Sequence, residues 1–320
     1  FSKVNPKADK GTNHFMLEFG HFITQDVVGT TLLNDTEAFP MPCDGEETDF
    51  LFCPVTGKLY SISFNRSQHL SQSAPRASLN GESAFLDMSN LYGAPALQPQ
   101  IRSFQSGELL LDPITQLPPP LERYNSSPGI FCLYALFMRY HNLLARKYES
   151  EQPGLLSDEE LFQKARNHNI AIYQSIVEEK YIPMLLGKKL DEYTGYDATV
   201  DPRIDEFFAA LSFRYAHSSF SGLIRILDKN FDPLSSDPLI LSFVTRLYSV
   251  PEIVKRYGNV EVFLRGLSIQ NAKAVDASID HDFNYFNGVS MLDIQRGRDL
   301  GLPSYNNARA AFNLSKVMSI

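Results

Sequence analysis

Apolar residues recur at helical spacing along most of this chain, and that pattern is its dominant signal. Phe15, Phe19, Phe22, Ile23 and Val27 predict a first helix over 13–28. Pro128 stands where a helix can begin, and Ile130, Leu133, Leu136, Tyr140, Leu143 and Leu144 then form a wide apolar stripe up to about Tyr148. Ser157 followed by Glu160 is a capping box, which predicts a long helix to roughly Lys180, ended by Pro183. Further helices are expected over 203–218, 239–249, 252–257 and 260–267, with a last one from about Tyr305. From Thr36 to Ser78 the periodicity gives way to Pro, Gly, Asn, Asp and Ser, a long surface excursion. No alternation of period two persists long enough to predict a sheet. The expected fold is mainly α: one large helical domain over 1–320, with long irregular loops and little sheet.

Composition narrows the function classes. Among 320 residues, 29 Lys and Arg face 37 Asp and Glu, a formal charge of −8 that argues against a nucleic-acid partner. The longest apolar stretch, 129–138, stops at Arg139, well short of the ~20 residues needed to cross a bilayer. The chain opens at Phe1 without a Met, and both ends are expected to continue in a longer protein. Cys43 and Cys53 lie close enough in a polar stretch to close a short loop, whereas Cys132 sits in an apolar helical pattern as a buried free thiol. Sequons at Asn34, Asn65, Asn125 and Asn313 fit an oxidising compartment and a secreted glycoprotein.

Two stretches carry candidate chemistry. Phe213-Arg214-Tyr215-Ala216-His217 places a histidine at the end of an aromatic helix, where the bland reading is a hydrogen-bonded core residue. Met291-Leu292-Asp293-Ile294-Gln295-Arg296 embeds charge among apolar residues, and buried charge needs a polar partner.

The run Gln295-Arg296-Gly297-Arg298-Asp299-Leu300-Gly301-Leu302-Pro303-Ser304-Tyr305-Asn306 resembles the signature of the animal haem peroxidases, the myeloperoxidase-like superfamily. Phe213 to His217 resembles that family's proximal helix, with Asp201-Pro202-Arg203-Ile204 as the approach to it. Leu190-Asp191-Glu192-Tyr193-Thr194-Gly195-Tyr196 and Arg139-Tyr140-His141-Asn142-Leu143 are most similar to the peroxidase-like domain of dual oxidases. The resemblance extends from about His14 to Arg309.

It implies a set of roles. His217 becomes the axial ligand of a haem iron, with Asp293 receiving the proton of the other ring nitrogen where the family usually has Asn. Arg214 and Arg296 become partners of haem propionates; the alternative makes both arginines partners of internal carboxylates. Ser83-Ala84-Phe85-Leu86-Asp87-Met88-Ser89 resembles the family's calcium loop, so Asp26, Ser83, the Phe85 carbonyl, Asp87 and Ser89 are the expected Ca2+ ligands, unless the loop is only a polar turn.

The register of Asp26 exposes a departure. In His21-Phe22-Ile23-Thr24-Gln25-Asp26, Gln25 stands at the catalytic His position, and a glutamine cannot shuttle a proton near neutral pH. His21, one helical turn away, either substitutes through a water or only lines the pocket. Arg123 takes the place of the cation that polarises the peroxide bond, although a glycan on Asn125 would conflict with an inward Arg123. Thr24 and Ser126 replace both haem-linking carboxylates, so haem b would be held non-covalently. Hydrogen peroxide and a small electron donor are the implied substrates, with weakened turnover. The alternative is a catalytically inactive module with a structural, matrix or assembly role beside neighbouring domains or matrix partners, and a third reading is a calcium-stabilised binding domain.

Overall fold

The computed structural model describes residues 8–29, 38–41, 62–66, 78–93, 97–280, 282–283 and 288–318. Along the chain these form β1 (Ala8–Asn13), α1 (His14–Val27), β2 (Ala38–Met41), β3 (Ile62–Asn65), α2 (Ser89–Tyr92), α3 (Gln98–Ile101), α4 (Pro128–Glu151) and α5 (Asp158–Ile176). There follow α6 (Ile182–Leu186), α7 (Glu206–Ala210), β4 (Leu223–Ile224), β5 (Leu239–Ile240), α8 (Leu241–Leu247), α9 (Val250–Tyr257), α10 (Val260–Ile269), β6 (Asn271–Lys273), α11 (Val289–Asp299) and α12 (Tyr305–Ala311). The fold is mainly helical, as the periodicity predicts. Cys43, Cys53 and Asn34 lie outside the described residues.

The chain groups into two compact units. The first comprises Phe1–Gly29, Glu82–Ile204 and Tyr215–Phe286. Its core is the apolar side of α1 packed on α4 and α10, with α5 laid against α4. Phe22, fully buried, stacks on Phe137 at 5.2 Å and meets Tyr134 at 5.0 Å and Tyr173 at 5.8 Å. Cys132 is buried in α4 as a free thiol, and burial pushes it well above the usual thiol range. The Arg139 to Leu143 motif clamps the segment before α4. His141 is buried between the Tyr92 hydroxyl at 3.0 Å and the Gly107 carbonyl at 2.9 Å, and Asn142 closes both backbone groups of Leu109.

Two expectations about helices need correction. Pro183 does not end the long helix. After α5 the chain widens into a π-turn, Val177–Tyr181, in which the Ile182 amide bonds back to the Val177 carbonyl, and α6 continues with Pro183 in its first turn. The wider turn accommodates a residue that has no N–H to give and a ring that crowds the preceding turn. The expected helix over 203–218 is two pieces. Asp205 starts α7 by accepting from Phe207 and Phe208 amides at 2.8 and 3.2 Å, Leu211 breaks it, and a 3-10 helix, Ser212–Ser218, follows. The sheet is as slight as expected: β1 pairs with β6 and β4 with β5, both antiparallel. Such strands are too short for an alternating pattern to register.

The second unit comprises Thr30–Gly81, Asp205–Arg214 and Asn287–Ile320. The antiparallel hairpin of β2 and β3 belongs to it, as do α7, α11 and α12. Here α7 packs on α11, Phe207 meets Phe312 at 5.4 Å, and Arg66 pairs with the buried carboxylate of Asp299 at 2.6 Å.

Candidate functional site

Within the first unit, α1 carries one polar line along an otherwise apolar helix: His14, Glu18, His21 and Gln25, at the spacing that keeps residues on one face. The Gln25 amide is used at both ends. Its Oε1 accepts from the Tyr134 hydroxyl at 2.8 Å, and its Nε2 donates to the Ser126 hydroxyl at 3.1 Å. The Thr24 hydroxyl turns back to the Gly20 carbonyl at 2.9 Å. His21 is partly exposed, with Nδ1 3.7 Å from Glu18 Oε2.

At the C-terminal end of α1, Asp26 is fully buried and meets the loop before α2. Its carboxylate accepts from the Met88 amide at 3.2 Å, the Ser89 hydroxyl at 3.2 Å and the Asn90 amide at 3.5 Å. Asp87 accepts from the Ser89 amide at 2.9 Å, while the Ser83 hydroxyl accepts from the Phe85 amide at 3.2 Å. Met88 at the centre of this loop has φ 53, a left-handed conformation that costs a non-glycine residue roughly 1–3 kcal/mol and persists only when its surroundings enforce it. Burial first, then the neighbouring Asp87, pushes the Asp26 carboxyl up to about 6. Ser89 thus touches both Asp26 and Asp87, while Ser83 and Phe85 bond to each other within the same loop.

Arg123 is half-buried beside the same loop. Its Nη1 donates to the carbonyls of Ser89 and Asn90 at 3.2 and 3.1 Å, and its Nη2 lies 4.0 Å from Glu82. Asn125, which is exposed, turns elsewhere: its Oδ1 accepts from the Val250 amide at 3.0 Å and so helps begin α9. Arg123 and Asn125 thus take different partners.

His217, also in the first unit, closes the 3-10 helix. Its half-buried ring lies 6.3 Å from that of Phe283, which stacks on Phe220 at 5.3 Å. In the second unit, Arg296 pairs with Asp293 one helical turn away at 2.7 Å, and Arg214 Nε donates to the Ala209 carbonyl at 3.1 Å. Burial, and after it the neighbouring Arg296, pull the Arg214 guanidinium down to about 10, against the opposing pull of Asp293. Arg296 and Asp293 thus form an ion pair within α11.

The family model for animal haem peroxidases matches residues 1–320. The chain belongs to the animal haem peroxidase family. It is 30% identical over 301 residues to thyroid peroxidase from Sus scrofa, covering 78% of this chain and 32% of that protein. It is 33% identical over 297 residues to dual oxidase 1 from Sus scrofa, covering 77% of this chain and 19% of that protein. The chain thus spans less than half of either relative. Among solved structures, peroxidase A from Dictyostelium discoideum superposes with a TM-score of 0.83 at 24% identity, over 100% of this chain and 69% of that one, a likeness of fold. The family implies haem.

Two observations bear on which groups the residues suit. Arg214 and Arg296 share one nearby carboxylate, so the cluster carries surplus positive charge that an anionic group such as a propionate would offset. The Asp26 and Asp87 carboxylates stand close in a buried place among hard oxygen donors, an arrangement that suits Ca2+. Sequence reasoning missed Glu18, Glu82 and Tyr134. For Glu18 a signal existed, because its spacing from His14, His21 and Gln25 already draws the polar line on α1.

Proposed function

We propose that this chain is a haem-binding, calcium-stabilised peroxidase module that reduces hydrogen peroxide weakly at the expense of a small donor. A bound haem supplies an iron that exchanges electrons with peroxide. The resemblance assigns His217 to that iron, Arg214 and Arg296 to its propionates, and Asp293 to the second ring proton of His217. Asp26, Ser83, the Phe85 carbonyl, Asp87 and Ser89 would hold Ca2+. With Thr24 bonded to its own helix and Ser126 to Gln25, no carboxylate is available at either linking position, and the haem is held non-covalently. The sequons support a secreted protein, and no described helix is long and apolar enough to cross a membrane.

One observation carries the low activity: the Gln25 amide is fixed from both sides by Tyr134 and Ser126, as a neutral hydrogen-bonder that takes up no proton. The commitment of Arg123 to the Ser89 and Asn90 carbonyls favours the second reading, a module retained for assembly with neighbouring domains or matrix. The absorption spectrum of haem-supplemented protein tests the proposal. A Soret band lost in His217→Ala supports haem ligation by His217, and a protein that stays colourless overturns it. Peroxide consumption by the coloured protein then separates slow catalysis from none.

A further inference from the structure

Resting on the haem reading above, we propose that Glu18 is the positioning residue of His21, and that this pair handles the proton on the face of α1 where Gln25 cannot. Glu18 is an unusual residue for the inside of a protein, only 6% exposed. Its carboxylate is caged. The Ser127 hydroxyl reaches both of its oxygens at 3.1 and 3.0 Å, while itself capping α4 by accepting from the Ile130 amide at 3.1 Å. Gly129 leaves the seat open, because a Cβ there would collide with the carboxylate. Ser127, Pro128 and Gly129 begin a 24-residue helix, whose N-terminal end favours an anion at this position.

The groups facing Glu18 decide what it acts on. From α1 comes His14, 3% exposed and held down to about 4 chiefly by burial, so it stays neutral in the physiological range. From α4 come the Ser127 hydroxyl and the buried Cys132 thiol, which burial and Glu18 together keep protonated. His21 is the partly exposed imidazole of this group, with its side chain 35% open and Nδ1 turned to the carboxylate at 3.7 Å. A carboxylate beside Nδ1 favours the tautomer that carries its proton there, leaving Nε2 as the acceptor. That nitrogen belongs to the residue one turn, ~5.4 Å along the axis, from Gln25. In the step this allows, Nε2 takes a proton from hydrogen peroxide, leaving a hydroperoxide anion and an imidazolium that lies beside the Glu18 carboxylate. Release of that proton to water returns His21 to its starting form.

The test reads the tautomer directly. Long-range proton–nitrogen correlation spectra of histidine-labelled protein, without added haem, report which ring nitrogen of His21 is protonated, its signals assigned by their loss in His21→Asn. The wild-type chain should give the Nδ1–H form. Glu18→Gln, and Glu18→Asp, which keeps the charge for Ser127 but withdraws it by one methylene, should both move His21 toward the Nε2–H form; an unchanged pattern in the folded variants overturns the proposal. In the haem-loaded protein, Glu18→Gln should lower peroxide turnover roughly 10-fold and add nothing to His21→Asn, whereas a loss that persists in the His21→Asn background overturns the positioning role. A colourless protein with the tautomer shift intact removes the haem reading alone.

Discussion

The Tyr134 hydroxyl donates to Gln25 Oε1 at 2.8 Å, and this bond ties the second turn of α4 to the polar face of α1. Tyr134 is fully buried, and burial lifts its phenol far above the ordinary range, so the hydroxyl keeps the proton that it donates here. With Ser126 receiving the other end, the amide is locked in one orientation. Gln25→His should install an imidazole that keeps a partner in Tyr134 and adds a titrating nitrogen. One positioned acid-base group contributes roughly 10²–10⁴-fold, so peroxide turnover of the haem-loaded variant should rise at least tenfold. A coloured variant with unchanged turnover would count against the missing-base account.

Calcium should act on stability by mass action. At a hundredfold excess over its dissociation constant, a ligand that binds only the folded state adds about 2.7 kcal/mol. The melting temperature should therefore rise on adding Ca2+ and fall with a chelator. Asp26→Asn removes the buried carboxylate that meets Met88, Ser89 and Asn90. In that variant the melting temperature should no longer follow calcium, and a response equal to wild type would remove Asp26 from the ligand set.

What the sequence made legible was whatever local periodicity or a local cap encodes. The apolar face of α1 and the box formed by Ser157 and Glu160 are of this kind, and the structure has both; the stripe expected on α4 is right only in part, because Leu136 and Leu143 are 41% and 56% exposed while Phe131, Tyr134, Phe137 and Met138 are buried. The helix α11 was not legible as one, because Asp293, Arg296, Arg298 and Asp299 crowd its few apolar positions and blur any face. Pro183 misled for a related reason: a proline reads as a stop unless the preceding turn widens, and nothing local announces the π-turn. In the candidate site, the alternating oxygens of Ser83 to Ser89 were visible in the chain. The partners of Arg123 were not, since they are backbone carbonyls more than thirty positions away, on which no side-chain pattern depends.

Two buried histidines predict an acid-sensitive fold. His14 and His141 are each lowered from 6.5 to about 4 mainly by burial. Between those values the unfolded chain binds more protons than the folded one, so stability is lost as pH falls from about 6.5 towards about 4. Each shift corresponds to roughly 3 kcal/mol when complete. Urea midpoints should drop from pH 7 to pH 5, and His141→Asn should flatten that drop while lowering stability at pH 7 through the lost bonds to Tyr92 and Gly107. Equal slopes in variant and wild type would exclude His141 as a contributor.

The aromatic cluster under α1 should be the largest single contribution to the first unit. Phe22 has no exposed surface and touches the rings of Phe19, Tyr134, Phe137 and Tyr173 at 5.0 to 6.5 Å. Truncating such a residue removes its transfer free energy and leaves a cavity that surrounding rings cannot fill by rotation alone, at about 3–5 kcal/mol. Phe22→Leu keeps part of the volume and should cost less than half as much. Because Phe22 packs against Tyr134, whose hydroxyl holds Gln25, the Ala variant should also loosen the bond between Tyr134 and Gln25. Denaturant unfolding measures the first effect, and amide exchange in the first turns of α4 measures the second. A loss of stability below about 1 kcal/mol would mean that α1 is not held by this cluster.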